Sequence, residues 1–322
     1  MPDLQLSPIS IDDAPLLHDL VRQAEVADRY PLVTPLVEVE EWFDGAHVDP
    51  AEDFRLALLD GRPVGWARVE HEPSGVVLER AFVAGSVAPG DRRHGVGSAL
   101  LTWSTERARQ KLATYDHDLP RYIRISQFDW LDDAARLYEA SGYEAVRASQ
   151  EMLRPLDDLP RFDEPDGVRI VLWDDSRRED ARQAKNAAFA DHWGSTPTTA
   201  ETWTQWLDGH GPRLDLSMMA LSGDEVVGVS LNEHYPDDEE LLGRRDGWIQ
   251  SLSVRREWRG RGVASALIVA SMRAFAEAGF SHAALGVDTE NLSGAVALYT
   301  RLGFEPTHRM VNWQMEVTPS PR

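Results

Sequence analysis

The feature that most constrains the fold is a glycine-containing loop that occurs twice, each time between an apolar run and a helical pattern. The first copy spans residues 92–97 and follows an apolar run ending at Val87, and the second spans residues 259–264 and follows the run 248–254. A strand-to-helix turn of this kind leaves several backbone N–H groups without partners at the positive end of the helix dipole, where a pyrophosphate binds well. The sequence therefore predicts an anion site at each loop.

Two other interpretations of the loops stay open at this level. A tight turn with solvated arginines explains a single copy simply. A dinucleotide-binding turn is the second alternative, but Ser265 and Leu100 stand where that fingerprint needs Gly or Ala. Neither loop opens its domain as a first strand–helix unit would.

Length and composition favour two folded domains and exclude several partners. A chain of 322 residues is long for one core, and no cysteine is present for a disulfide, a thiolate metal site or a nucleophile. The net charge of −21 argues against nucleic acid as a partner. Neither a signal peptide nor a run long enough to span a membrane is found, so we expect a cytoplasmic protein with no metal and no membrane partner.

The order of elements restarts after a polar, proline-containing segment, residues 157–167, which has the composition of a linker. This segment predicts an N-terminal domain over residues 1–156 and a C-terminal domain over residues 168–322. The two halves also share spaced motifs: Arg92 and Arg259 are 167 residues apart, and Tyr138 and Tyr299 are 161 apart. Repeats of this length indicate duplicated domains.

The pattern Arg-x-x-Gly-x-Gly/Ala between a strand and a helix resembles the acyl-CoA-binding motif of the GCN5-related N-acetyltransferase (GNAT) family, and both loops match it. The resemblance implies an α/β (α+β) chain of two tandem GNAT domains. Each would have a mixed, mostly antiparallel sheet flanked by helices, with a splayed central strand pair. The second half, with Asn291 shortly before Tyr299, is also similar to mycothiol synthase-like proteins.

The resemblance further implies which residues contact acetyl-CoA. In the second half they are Leu252, Ser253, Val254, Arg259, Gly260, Arg261, Gly262, Val263, Ala264, Ser265 and Asn291; in the first half they are Val87, Arg92, Arg93, His94, Gly95, Val96, Gly97 and Ser98. One acetyl-CoA in each domain is an open alternative to one in the whole chain.

The resemblance implies Tyr299 as the acid that protonates the departing CoA thiolate. Trp248 stands where a mycothiol synthase has its carboxylate base, so Asp246, two residues earlier, is the candidate base. If the strand extends to Asp246, both side chains point to one face. Glu79 lies 13 residues before Arg92, as Asp246 lies before Arg259. For both acids the alternative is a solvated carboxylate at a strand end.

The function implied is direct transfer of an acetyl group from acetyl-CoA to the amine of a small molecule, catalysed by the second domain, in a monomer or homodimer. The alternatives are a CoA-binding sensor or scaffold without turnover, a mycothiol synthase-like activity, and protein N-terminal acetylation. We expect the first domain to bind CoA or to serve as a scaffold.

Overall fold

The computed structural model describes residues 3–45, 47–71, 73–115, 118–161, 163–190, 192–290 and 294–318. Within these ranges no helix is both long and apolar enough to cross a bilayer. No group of three or more metal-ligating side chains that could hold an ion occurs there either.

The chain forms two compact units. Unit 1 comprises Met1–Arg147 and Met310–Arg322, and unit 2 comprises Ala148–Arg309. The first half of the sequence forms strands β1 (Leu4–Ser7), β2 (Phe54–Leu59), β3 (Arg62–His71), β4 (Glu79–Val87), β5 (Arg121–Phe128) and β6 (Glu144–Pro155), with helices α1 (Ala14–Asp28), α2 (Leu36–Glu41), α3 (Pro50–Asp53), α4 (Val96–Ala113) and α5 (Asp132–Ala140).

The second half repeats this order. Its strands are β7 (Arg169–Leu172), β8 (Met218–Ser222), β9 (Glu225–Glu233), β10 (Asp246–Val254), β11 (His282–Asp288) and β12 (Glu305–Glu316), and its helices are α6 (Arg178–Phe189), α7 (Ala200–Leu207), α8 (Asp238–Leu242), α9 (Val263–Glu277) and α10 (Ala295–Arg301). The predicted fold class is confirmed, since each half has a mixed, mostly antiparallel sheet with helices on both faces.

The last strand of each half completes the sheet of the other half. The order in unit 1 is β1-β2-β3-β4-β5-β12, and in unit 2 it is β7-β8-β9-β10-β11-β6. β6 pairs antiparallel with β11 through residues 149–155, and β12 pairs with β5 through residues 310–316. The compact units therefore differ from the predicted domains 1–156 and 168–322, because hydrogen-bonded strands, not chain order, determine which residues pack together.

One parallel strand pair lies in the middle of each sheet and opens after four residue pairs. β4 pairs with β5 from Glu79 to Phe82, and β10 pairs with β11 from Asp246 to Ile249. Beyond those pairs β4 continues to Val87 and β10 to Val254, each toward its glycine loop. The opened pair is the predicted splay, and it appears in both units.

Apolar packing holds α9 against one face of the unit 2 sheet and α6 and α7 against the other. Ile249 packs with Met272 and Phe275 of α9, whereas Leu231 packs with Trp203 and Leu207 of α7. Gly247 also faces α9, since a Cβ there would lie 2.5 Å from the Phe275 ring. Residues 246 and 248 of β10 consequently point to the face covered by α6 and α7.

Candidate active site

The two glycine loops have the same backbone geometry. Gly95 and Gly262 are the N-cap residues of α4 and α9, with φ values of +83° and +85°, a region that favours glycine. Neither cap provides a side-chain hydrogen bond to the helix. The first intrahelical bonds are made by the N–H groups of Ala99 and Ala266, so the N–H groups of residues 96–98 and 263–265 have no acceptor within their helix.

The arginine that opens each loop binds protein atoms. Arg92 donates from Nε to the Val87 carbonyl at 3.1 Å and forms a bidentate pair with Asp28 at 2.7 and 2.8 Å. Arg259 donates from Nε to the Val254 carbonyl at 3.3 Å and from Nη2 to the Ala188 carbonyl at 2.6 Å. Both guanidinium groups thus tie the loop to the end of its strand and to the first long helix of its half.

The second loop position differs between the halves. Arg93 has φ +66° where Gly260 has φ +73°, so the first loop places a non-glycine residue in the left-handed region, at a cost of about 1–2 kcal/mol. The Arg93 side chain pairs with Asp133 at 2.7 Å. Arg261 lies over the Trp258 ring, 4.9 Å from its centroid.

The remaining predicted loop residues form the first turns of the two helices or flank them. His94 Nδ1 lies 3.2 Å from the Asp91 carbonyl oxygen. Val96 and Val263 are buried, Gly97, Ala264 and Ser265 are half-buried, and Ser98 is exposed. Asn291 lies outside the described residues.

A cavity of about 530 Å³ lies along the first loop, within unit 1. Its lining contains Val87, Arg92, Arg93, Gly95, Gly97 and Ser98 of the predicted set. Trp66 and Ser86 also line it, and Trp66 Nε1 and Ser86 Oγ are buried without a hydrogen-bond partner in the part of the chain that the structure describes. The cavity thus joins the free helix N-terminus to the opened strand pair, an arrangement that fits a pyrophosphate and its pantetheine arm.

The opened strand in unit 2 carries the other predicted main-chain contacts. Leu252 is half-buried against α9, and Ser253 and Val254 are buried. A one-residue bulge interrupts the pairing of β10 with β9 between Ile249 and Ser251. The pairing of β4 with β3 continues from Gly65 to His71 without such a shift.

Tyr299 and its first-half counterpart Tyr138 have different surroundings. Burial raises the pKa of each to about 12. A side-chain hydrogen bond with Gln127 opposes that rise at Tyr138, and Gln127 also accepts from the Tyr30 hydroxyl at 2.7 Å. Among the described residues, nothing hydrogen-bonds to the Tyr299 hydroxyl. Tyr299 therefore stays protonated at neutral pH and has a hydroxyl available to a ligand.

Asp246 is buried, and the strand extends far enough to include it, so it shares a face with Trp248. Arg244 Nε donates to both Asp246 oxygens, at 2.9 and 3.0 Å, and His282 Nδ1 lies 4.0 Å away. Burial raises the pKa of Asp246, while Arg244 opposes the rise. The carboxylate is thus part of an ion pair.

Glu79 does not occupy the position in unit 1 that Asp246 occupies in unit 2. The β10 bulge adds one residue, so equal spacing from the two loops corresponds to opposite faces. Glu79 is fully buried, 2.8 Å from His71 Nε2, and accepts from the Gly75 N–H at 2.7 Å. Burial favours a higher pKa for Glu79, but the bonds from Gly75, His71 and Ser74 outweigh it and the pKa is lowered. Arg80 is the structural counterpart of Asp246.

Two carboxylates that the sequence analysis did not single out lie on the α6 and α7 face of unit 2. Glu233 pairs with Trp248 across the strands and accepts hydrogen bonds from Trp206 Nε1 at 2.7 Å and from the Tyr235 hydroxyl. Burial raises its pKa. The second is Glu151 of β6, and burial followed by the charge of Asp238 raises its pKa to about 7. Periodicity could have placed Glu233 at a strand end, but no local signal assigns Glu151 to this sheet.

Comparison with protein families gives two matches on the chain. The model described as "Acetyltransferase (GNAT) family" matches residues 178–304, and the model described as "Acetyltransferase (GNAT) domain" matches residues 50–145. Each match includes one glycine loop and the strand before it.

Similar proteins extend over nearly the whole chain. A mycothiol acetyltransferase of Geodermatophilus obscurus is 31% identical over 309 residues, which is 92% of each chain, and one of Thermomonospora curvata is 30% identical over 90% of each. A solved GCN5-related N-acetyltransferase from Sphaerobacter thermophilus is 26% identical, covers 99% of this chain and 97% of its own, and has a TM-score of 0.77. A tandem GNAT protein from the clavulanic acid biosynthesis pathway shares the fold, with a TM-score of 0.70, 20% identity and coverage of 99% and 100%.

Proposed function

The chain belongs to the GNAT acetyltransferase family, and from that premise we propose that unit 2 transfers the acetyl group of acetyl-CoA to a small-molecule amine, while unit 1 binds CoA without turnover. The observation that carries this division of labour is the difference between the two tyrosines. No described residue hydrogen-bonds to the Tyr299 hydroxyl, whereas Gln127 hydrogen-bonds to Tyr138.

In unit 2 the proposed cofactor contacts are mostly backbone groups. The N–H groups of Val263, Ala264 and Ser265 face the pyrophosphate at the positive end of α9, which Gly262 lets approach closely. The open edge of β10, through Leu252 to Val254, supplies main-chain bonds to the pantetheine arm and an N–H to the thioester carbonyl. Arg259 and Gly260 shape the loop, and Arg261 supplies positive charge at its rim.

Proton transfer in unit 2 needs an acid and a base. Tyr299, with a pKa of about 12, holds its proton until a thiolate forms beside it and then gives that proton to the sulfur. We call the face of the unit 2 sheet covered by α6 and α7, which carries Asp246 and Trp248, the acceptor face. Asp246 is one carboxylate on it that can take a proton from the amine, although the ion pair with Arg244 competes for the same oxygens.

Unit 1 has the CoA-binding loop, but its strand β4 differs from β10 at the positions proposed for proton transfer. The cavity and the free N-terminus of α4 support binding of a second CoA, with contacts from Val87 and from residues 92–98. β4 has no bulge, and its Glu79 is bonded to His71 on the face that packs with α4. These features support about one CoA per unit, with transfer in unit 2 alone.

The acceptor is a small molecule, and we take as first candidate the amine used by the relatives that carry the name mycothiol acetyltransferase. Trp248, where a carboxylate was expected, makes a different small amine the alternative. A net charge of −21 favours a cationic acceptor over nucleic acid. A monomer and a homodimer both fit this proposal.

The test is release of free CoA thiol by the full chain with acetyl-CoA and a panel of primary amines that includes the mycothiol acetyltransferase acceptor. We expect amine-dependent release with one or more acceptors. Calorimetric binding of acetyl-CoA with no release for any amine would support a sensor and overturn the enzymatic proposal.

A further inference from the structure

Glu151 reaches the acceptor face of unit 2 although it belongs to the first half of the sequence. On β6 it pairs with Gly286 of β11, and Ala284, two residues earlier on β11, pairs with Trp248. Paired residues share a face, as do residues two apart on a strand. Glu151 therefore lies on the same face as Trp248 and Asp246.

The position of Glu151 along the sheet coincides with the start of the opened strand pair. The last β10–β11 pair is Ile249 with Leu285, and Gly286 is the next residue. A Cβ at Gly286 would meet nothing within 4 Å, so open space lies directly beside the Glu151 position. The opening between β10 and β11 therefore begins beside Glu151.

The charge around Glu151 suits a cationic group. Asp238 is buried nearby, and its charge disfavours ionisation of Glu151. No cation or hydrogen-bond donor among the described residues engages the Glu151 carboxylate. In contrast, Asp246 is paired with Arg244, and both Glu233 oxygens already accept hydrogen bonds.

The equivalent position in unit 1 carries a neutral, engaged pair. Asn312 of β12 pairs with Ser126 of β5, and Ser126 Oγ donates to Asn312 Oδ1 at 2.7 Å. This pair stands where unit 2 has Glu151 and Gly286, once the β10 bulge is allowed for. The difference between the units therefore lies in a possible proton acceptor and in the space beside it.

We propose that Glu151, delivered by the exchanged strand β6, is the general base of acetyl transfer in unit 2. It takes one proton from the acceptor ammonium, and the freed nitrogen lone pair forms the C–N bond at the thioester carbonyl while the C–S bond breaks. The CoA sulfur receives its proton from Tyr299. The nitrogen loses a second proton as the amide forms, and that proton restores the Tyr299 hydroxyl. The proton taken up by Glu151 is the one released to solvent. This inference rests on the proposed function of unit 2.

The test is the pH dependence of kcat/KM for wild type and Glu151→Gln in the full chain. Since a base must be ionised, the wild-type rate should rise with pH and reach half its limit near pH 7. The rising limb of the pH profile that belongs to the enzyme base stays at the same pH for every amine, whereas a limb that belongs to the amine moves with the pKa of that amine. Two amines from the panel with well-separated pKa values therefore distinguish the fixed limb from the moving one. Glu151→Gln should lose the fixed limb and lower kcat/KM by about 10²–10⁴-fold.

The matched control is Glu144→Gln, the same change at an exposed position on the same strand. It should leave both limbs and the rate unchanged. Unchanged acetyl-CoA affinity and thermal unfolding in Glu151→Gln would show that the fold and cofactor site are intact.

Retention of the fixed limb in Glu151→Gln, with its loss in Asp246→Asn, would overturn the inference and assign the base to Asp246 while the proposed function stands. Absence of amine-dependent CoA release in wild type is a separate result, and it would overturn the proposed function itself.

Discussion

Separating the two halves at the linker should unfold unit 2. Fragment 168–322 lacks β6, which contributes seven residue pairs to the ladder with β11. At about 0.5–1.5 kcal/mol net for each of roughly seven hydrogen bonds, the loss is about 4–10 kcal/mol. Buried Met152 adds about 1.5–3 kcal/mol of lost burial. The sum is comparable to the entire stability of an ordinary domain, about 5–15 kcal/mol.

Circular dichroism and thermal unfolding of the purified fragment test this expectation, with the chain cleaved in its linker after folding as the control. Cleavage alone leaves β6 paired, so the nicked protein should melt cooperatively and still bind acetyl-CoA. Cooperative unfolding of fragment 168–322 by itself, with acetyl-CoA affinity equal to that of the full chain, would refute the importance of the exchanged strand.

Three further substitutions test the site and its framework. Tyr299→Phe should lower kcat about 10²-fold with unchanged acetyl-CoA affinity, measured by CoA release and calorimetry; wild-type kcat would assign the acid role elsewhere. Gly262→Asp should remove turnover, and Gly95→Asp should lower CoA stoichiometry from about two toward one with turnover kept. Asn at each position is the control, because it tolerates the positive φ without adding charge. The reverse pattern would place transfer in unit 1. Gly247→Ala should lower the free energy of unfolding in denaturant by about 1–3 kcal/mol, because the added Cβ would lie 2.5 Å from the Phe275 ring. Gly286→Ala is the control, since nothing lies within 4 Å of its added Cβ. Equal stabilities of the two variants would contradict the packing of Gly247 against α9.

The sequence predicts the two glycine loops and the helix starts that follow them well, because these features depend on residues close together in the chain. Glycine at positive φ, an uncapped helix start and an apolar strand before it all lie within about twenty residues, and the structure has each of them at Gly95 and Gly262. The sequence left the extension of β10 to Asp246 conditional, and the structure includes Asp246 in the strand.

The partners of the last strand in each half could not be predicted from the sequence. Pairing between β6 and β11 joins residues more than 120 positions apart, and a strand fits its own sheet and a duplicated sheet with the same side-chain alternation. The bulge in β10 could not be predicted for a related reason. One extra residue leaves the hydrophobicity of the strand unchanged but reverses the face to which the residues before it point. Equal spacing made Glu79 match Asp246, and the bulge makes Arg80 the counterpart.

The exchanged strands bring residues from both halves of the sequence into each unit, which bears on the proposed confinement of transfer to unit 2. β12 brings Asn312 to unit 1, where it meets Ser126, and β6 brings Glu151 to unit 2, where it meets open space at Gly286. Because phosphate binding needs mainly the backbone turn, our proposal assigns CoA binding to both loops. Proton transfer needs a carboxylate without a cationic partner and room for an amine at the opened strand pair, and we propose that Glu151, opposite Gly286, meets both needs. Loss of turnover with CoA binding kept is therefore the expected signature of Glu151→Gln, the change on β6 that removes the carboxylate and leaves buried Met152 in place.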